Sequence, residues 1–145
     1  MQKDAYSRFL NSLTKEELID IIISEKQEKI PITIFLNELA PLESVVKYLK
    51  ENRGMTIKKI SEKLNRSDKT IWTTYNNAKN KKLDIRDTEY LIPISFFAKK
   101  TSILETVVYY LKKNHDLTLH QIALLLQRDD RTIWTIYHRA MKKNE

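Results

Sequence analysis

The sequence has no cysteine, only one glycine and three prolines among its 145 residues. Without cysteine there is no disulfide framework, no thiolate nucleophile and no cysteine-based zinc site, and three scattered histidines argue against a metal centre. A single glycine excludes the glycine-rich loops that bind phosphate. No apolar run approaches the roughly 20 residues of a membrane-spanning helix, and the N-terminus lacks the apolar centre of a signal peptide. We therefore expect a cytoplasmic protein without cofactors or membrane contacts, and the scarcity of helix breakers favours an all-α fold.

Positive charge is concentrated in two blocks of the sequence. The formal net charge is +7. Residues 30–82 carry 11 basic and 5 acidic groups, residues 92–145 carry 9 and 5, and the remaining segments are acidic on balance. This distribution is a modest indication of polyanion binding, because net charge also serves solubility alone.

The two basic blocks are copies of one another. Residues 30–32 (Ile-Pro-Ile) recur at 92–94, and the same offset of 62 superposes 70–73 on 132–135. Without any gap, 24 positions between residues 30 and 81 are identical in the second copy. Two copies are fewer than a solenoid usually needs, so duplication of a small domain fits better. The predicted organisation is an N-terminal helical segment (1–29), repeat one (30–82), a linker (83–91) and repeat two (92–145).

Each repeat is predicted to contain three helices, which we label A, B and C. Apolar residues at i, i+3, i+4 and i+7, beginning with Leu42, define the buried face of helix A. Helix A begins at Pro41 in repeat one and with a Ser102–Glu105 capping box in repeat two. Its expected end in repeat one is near Gly54.

Helices B and C are predicted to be joined by a tight turn. Helix B is about two turns long, and a four-residue turn (65–68 or 127–130) leads into a longer helix C. The expected N-caps are Thr56 and Thr118 for helix B, and Ser67 and Asp129 for helix C. A short helix, a tight turn and a longer helix with an exposed polar face form the geometry that places the second helix in a DNA major groove.

Repeat two resembles a known DNA-binding family. The residues that carry the resemblance are 117–123 (Leu-Thr-Leu-His-Gln-Ile-Ala), 128–133 (Arg-Asp-Asp-Arg-Thr-Ile) and 137–140 (Tyr-His-Arg-Ala). This stretch resembles the helix-turn-helix of sigma factor region 4, and repeat one resembles it less strongly. The likeness covers 56–79 and 118–141 and implies a helix-turn-helix fold with helix C facing the groove. No segment resembles the promoter-melting region, so full sigma activity is not implied.

Candidate DNA contacts lie on the face of helix C that does not point inward. They are Lys69, Thr70, Thr73, Asn76 and Asn77 in repeat one, and Arg131, Thr132, Thr135, His138 and Arg139 in repeat two. Arg can bind guanine bidentately and Asn can bind adenine, whereas Thr and Lys more often contact phosphate. The two sets differ while the core positions agree. Three explanations stay open: the repeats bind different sequences, one repeat binds specifically while the other anchors, or a solvated face has diverged freely.

Three further pairs of residues have alternative roles. Thr56 and Thr118 at helix N-termini suit a phosphate contact or simple capping. Arg66 and Arg128 in the turns suit a phosphate contact or a salt bridge with a neighbouring acid. Trp72 and Trp134, at the border of the buried face, suit packing against helix A or the other repeat, or contact with a DNA sugar or a thymine methyl group.

The segments outside the repeats are also predicted to be ordered. Thr14 and Glu17 form a capping box for a strongly apolar helix that includes Ile19 and Ile21–Ile23, preceded by a short helix carrying Tyr6 and Phe9. This segment is expected either to pack on repeat one as an extra layer or to form a dimer or partner interface.

The linker alternates apolar and polar residues and, fully extended, reaches about 30 Å. That is close to the ~34–36 Å between half-sites one helical turn apart, so the repeats are expected to contact successive turns on one face of DNA as a covalent pseudo-dimer.

The predicted function is double-stranded DNA binding by two helix-turn-helix units, in a transcriptional regulator or a nucleoid-associated factor. The alternative is a protein interaction module or an RNA polymerase-associated adaptor, with RNA polymerase or a second copy of the chain as partner. Structured RNA is a weaker candidate, because a helix does not fit the narrow A-form major groove. The repeated positions supply no nucleophile, metal site or paired acids, so we do not expect an enzyme.

Overall fold

Helices dominate the computed structural model, which describes residues 2–26 and 28–144. The predicted all-α class is confirmed, with one two-stranded sheet as an addition. Helices A, B and C correspond to α3, α4 and α5 in repeat one and to α6, α7 and α8 in repeat two. The bounds are α1 Gln2–Asn11, α2 Lys15–Lys26, α3 Pro41–Lys47, α4 Ile57–Leu64, α5 Asp68–Ala78, α6 Ile103–Asn114, α7 Leu119–Leu126 and α8 Asp130–Lys143.

A residue in the left-handed conformation follows the end of helix A in both repeats. In repeat one α3 continues as a π-helical turn, Tyr48–Asn52, and Gly54 follows with a φ of 65°. Gly54 was the predicted stop, and glycine adopts this conformation at no steric cost. At the equivalent position of repeat two, Asp116 adopts a φ of 53°. A short polar side chain therefore replaces glycine at the same turn.

The turn between helices B and C is one residue shorter than predicted. Helix C begins at Asp68 and Asp130, so the turns are 65–67 and 127–129. Their first residues, Asn65 and Gln127, have φ values of 53° and 54°. The matching left-handed residues give both repeats the same sharp change of direction from helix B to helix C.

A pair of short strands joins the repeats and was not predicted. Strand β1, Lys29–Pro31, pairs antiparallel with β2, Leu91–Pro93. The central residues of the two strands, Ile30 and Ile92, face each other and are fully buried. The β-bridge is extended by hydrogen bonds from Ile32 N to Tyr90 O (3.2 Å) and from Ile94 N to Glu28 O (2.9 Å).

A 3₁₀ helix follows each strand and crosses to the other repeat. The first 3₁₀ helix, Ile32–Leu36, contacts α7 of repeat two, and the second, Ile94–Ala98, packs on α4 of repeat one. Their phenylalanines, Phe35 and Phe97, are buried with ring centroids 6.5 Å apart. Both repeats consequently share a single hydrophobic core.

Within each repeat, helix C packs along helix A. An ion pair at equivalent positions reinforces this packing: Lys81 Nζ, just after α5, lies 3.1 Å from Glu43 Oε1, and Lys143 Nζ, at the end of α8, lies 2.8 Å from Glu105 Oε2. Burial alone would raise the pKa of Glu43, but the hydrogen bond from Ala40 N and the Lys81 ammonium outweigh it and hold the pKa below its ordinary value. The acid therefore stays charged at the start of α3, where the helix dipole also favours an anion.

The linker is bonded along repeat one. Thr33 Oγ1 donates to Arg86 O (2.7 Å), Asn37 Nδ2 donates to Asp84 O (3.0 Å), and Asp84 N donates to Asn37 Oδ1 (3.1 Å). The repeats are thus held together by direct packing as well as by the chain between them. The distance between the two repeats is set by that packing and not by the reach of an extended linker.

The N-terminal segment forms the two predicted helices, α1 and α2, with the predicted capping box. Glu17 N donates to Thr14 Oγ1 (3.2 Å), and Thr14 N to Glu17 Oε2 (3.4 Å). Phe9 and Ile19 are exposed, which differs from an apolar layer packed over repeat one. The side chains of Tyr6 and of residues 22–23 lie outside the described part of the chain.

Candidate nucleic-acid interface

Both C helices start at a polar N-cap, as predicted. Ser67 Oγ accepts a hydrogen bond from Thr70 N (3.2 Å) in α5, and Asp129 Oδ1 accepts one from Thr132 N (2.7 Å) in α8. The bonds from Thr132 hold the pKa of Asp129 below its ordinary value. Each cap satisfies a backbone donor that an uncapped helix would leave without a partner, so the first turn of helix C is fixed in both repeats.

The predicted contact residues of repeat one share one side of α5. Lys69, Thr70, Thr73 and Asn77 are exposed and Asn76 is half-exposed. Thr70 Oγ1 accepts a hydrogen bond from Ser67 Oγ (2.8 Å), and Asn76 Nδ2 donates to Trp72 O (3.0 Å). These bonds orient two of the five side chains before any ligand binds.

Four of the five predicted contact residues of repeat two line a shallow groove on α8, and His138 does not. Arg131, Thr132 and Arg139 are exposed, and Thr135 is half-exposed. The apolar side chain of Ile136, which was not among the predicted contacts, also lines the groove. The repeat alignment contains the signal for this residue: Thr74 stands at the position equivalent to Ile136, so this face is more apolar in repeat two than in repeat one.

The two tryptophans are exposed and do not pack in the core. The exposed fractions are 61% for Trp72 and 54% for Trp134. Packing against helix A or the other repeat is therefore wrong for both residues. Trp134 instead stacks on His138, with ring centroids 3.8 Å apart, while His138 Nδ1 donates to Trp134 O (2.8 Å). The stack gives repeat two an aromatic surface at one edge of its predicted contact face.

The threonines at the start of helix B are caps in both repeats. Thr56 Oγ1 accepts from Lys59 N (3.1 Å), and Thr118 Oγ1 accepts from Gln121 N (3.1 Å). Gln121 Oε1 completes a capping box by accepting from Thr118 N (2.9 Å). Capping is confirmed for Thr56 and Thr118, and phosphate contact by these exposed residues stays a prediction.

A histidine joins the first turns of helices B and C in repeat two. His120 Nδ1 lies 2.9 Å from Asp130 Oδ1, and both side chains are exposed. This contact was not predicted, because the two residues belong to different helices and their proximity depends on the turn between them. It places the N-terminal ends of α7 and α8 side by side.

The turn arginines are half-buried, and phosphate contact by Arg66 and Arg128 stays a prediction. Arg66 Nη1 donates to Leu64 O (3.0 Å) and to Phe97 O of the other repeat (3.1 Å), and burial lowers its pKa. Arg128 is half-buried, and its Nε is buried without a hydrogen-bond partner in the described structure. Arg66 therefore joins the repeats, and neither arginine belongs to the exposed helix C face.

Across residues 2–26 and 28–144, no group of three or more histidine or acidic side chains is placed to hold a metal ion. In the same part of the chain, no helix is long and apolar enough to cross a membrane.

Comparison of the chain with protein-family models, with curated proteins and with solved structures found no match.

Proposed function

We propose that this protein binds double-stranded DNA through the exposed faces of α5 and α8, as a transcriptional regulator or a nucleoid-associated factor in the cytoplasm. The observation that carries the proposal is the repeated arrangement of a short helix, a three-residue turn and a capped helix C whose outer face is polar, basic and aromatic. The resemblance to sigma factor region 4 also supports the proposal that helix C contacts DNA. In that geometry helix C enters the major groove and helix B crosses the backbone.

The outer faces carry the side chains that DNA binding requires. Arg131 and Arg139 are exposed donors suited to guanine or phosphate, and Asn77 is suited to adenine. Trp72 and Trp134 add apolar area that can contact a sugar or a thymine methyl group. Exposed tryptophan is otherwise costly, because it leaves a large apolar surface in water.

The test is fluorescence anisotropy of a labelled random-sequence duplex titrated with the full-length chain at ~50 mM and ~200 mM salt. Three of the predicted contact residues on the two faces are basic: Lys69, Arg131 and Arg139. Three phosphate contacts give a salt slope of about −2.7, so affinity falls about 40-fold over this fourfold change in salt. RNA of equal length is expected to bind more weakly. Absence of duplex binding at the lower salt refutes the proposal.

Two variants distinguish DNA binding at the helix C faces from a general effect of the protein's positive charge. Arg131→Ala with Arg139→Ala is expected to reduce the salt slope by about two, since each lost phosphate contact changes it by about one. Lys15→Ala, an exposed lysine of α2 outside both repeats, is the control and is expected to leave the slope unchanged. Equal effects of the face and control substitutions would show that charge acts without a defined site.

Protein binding is the second candidate function, and exposed apolar side chains outside helix C favour it. Leu124 is 66% exposed on α7, and Phe9 and Ile19 are exposed on the N-terminal segment. RNA polymerase or a second copy of the chain would be the partner. Leu124→Ser distinguishes this function: it is expected to weaken partner binding while leaving duplex affinity unchanged, and sedimentation equilibrium reports a second copy directly.

A further inference from the structure

The two strands define a local two-fold relationship between the repeats. Ile30 of β1 faces Ile92 of β2, and these residues are equivalent under the offset of 62. The flanking pairs are Lys29 with Pro93 and Pro31 with Leu91. Lys29 is equivalent to Leu91 and Pro31 to Pro93, so exchanging the repeats turns one flanking pair into the other. In an antiparallel pair of this register, a two-fold axis passes midway between the two central residues.

Contacts further from the strands obey the same relationship. The bond from Ile32 N to Tyr90 O has its counterpart in the bond from Ile94 N to Glu28 O, because Ile32 is equivalent to Ile94 and Glu28 to Tyr90. Each 3₁₀ helix packs on helix B of the other repeat. Phe35 and Phe97, which are equivalent, contact each other. The repeats are therefore arranged as the two halves of an isologous dimer within one chain.

The helix order limits how far apart the C helices lie. Helix α5 packs on α3, α3 contacts α6, and α6 packs on α8. Three steps at about 8–10 Å place the axes of α5 and α8 at most about 24–30 Å apart across the row. This approaches the ~34–36 Å between half-sites one helical turn apart and is well short of two turns.

The faces related by this symmetry are unequal in chemistry. Lys69, Asn76 and Asn77 in α5 stand where α8 has Arg131, His138 and Arg139. Thr70, Trp72 and Thr73 have identical counterparts. The side chains that can form paired hydrogen bonds with bases differ between the two faces, so the faces favour different bases. The shared residues can contact the DNA backbone in the same way in both repeats.

We propose that one chain binds one duplex at an inverted pair of unlike half-sites, with their centres no more than one helical turn apart. The inference rests on the proposed function. Operator symmetry follows protein symmetry when two related helices enter one duplex. A two-fold arrangement of unequal faces therefore selects an inverted site with two different halves and gives the complex a direction on DNA.

The test is selection of binding sites from duplexes that carry about 30 random base pairs, roughly three helical turns. The full-length chain is compared with two variants that exchange the faces. Lys69→Arg, Asn76→His and Asn77→Arg give repeat one the predicted contact residues of repeat two, and Arg131→Lys, His138→Asn and Arg139→Asn do the reverse. All six positions lie on the outer side of helix C, so the fold is expected to be unaffected.

The wild-type chain is expected to select an inverted site with two unlike halves, and native mass spectrometry should find one chain per duplex. Each exchange variant is expected to select a symmetric palindrome, and the two palindromes should correspond to the two wild-type halves. Selection of direct repeats or of a single half-site, or a complex of one chain with two duplexes, overturns the proposal. Failure to enrich any sequence, together with no binding of random duplex, refutes the DNA-binding function itself.

Discussion

Truncation of Phe97 tests whether the repeats form one folding unit. This residue belongs to repeat two in sequence, but it is 1% exposed and lies in the 3₁₀ helix that packs on α4 of repeat one. Phe-to-Ala substitution at such a site costs about 3–5 kcal/mol through lost burial and a residual cavity. Because every factor of ten in an equilibrium corresponds to about 1.4 kcal/mol, globally protected amides should exchange about 100-fold to 4,000-fold faster.

The assay is native-state amide hydrogen exchange at the equivalent buried residues Val46 and Val108, one in each repeat. We expect Phe97→Ala to accelerate both amides by the same factor. Ser95→Ala, an exposed position in the same 3₁₀ helix, serves as the control and should change stability by less than about 0.5 kcal/mol. Acceleration confined to Val108 would refute the shared core, because it would show that repeat one folds without the 3₁₀ helix of repeat two.

The remaining predictions concern caps, a buried lysine and an exposed tryptophan. Ser67→Ala should lower the free energy of unfolding in urea by about 1 kcal/mol at any pH. Asp129→Ala should lower it most above the ordinary Asp pKa of 3.8 and progressively less below it, because the folded pKa lies below that value and the charged cap's contribution is lost as the pH falls through the folded pKa; a pH-independent loss contradicts this assignment. Lys47→Met removes an ammonium that lies 2.9 Å from Lys79 O at the end of α5, and should cost about 1.5–3 kcal/mol; an unchanged melting temperature contradicts it. In Trp72→Phe protein, saturating duplex DNA should quench or shift the remaining Trp134 fluorescence, and an unchanged spectrum excludes contact.

Local features of the structure could be predicted from the sequence. The Thr118–Gln121 and Ser102–Glu105 capping boxes follow from residues three positions apart, and the structure confirms both. The ends of helix A follow from Pro41 and Gly54 for the same reason. Such features depend on short-range backbone chemistry, so a single sequence contains the information for them.

Long-range features could not be predicted in this way. Three-residue strands such as Lys29–Pro31 are too short to show an alternating pattern, and their pairing joins segments about 60 residues apart. Arg66 has an acid two residues away in sequence, yet its partner is Phe97 O, which only the packing of the repeats brings within reach. The exposure of Trp72 also depends on packing, because helical periodicity placed it at the border of the buried face.

Chemical-shift mapping of the isotope-labelled full-length chain, titrated with duplex DNA, tests the central claim most directly. We expect the backbone amides of α5 and α8 to shift at saturation, with the largest changes around Lys69, Trp72, Arg131 and Trp134. The buried helices α3 and α6 should shift little. Changes confined to α1 and α2, or no change at saturating duplex, would contradict DNA binding by the two C helices.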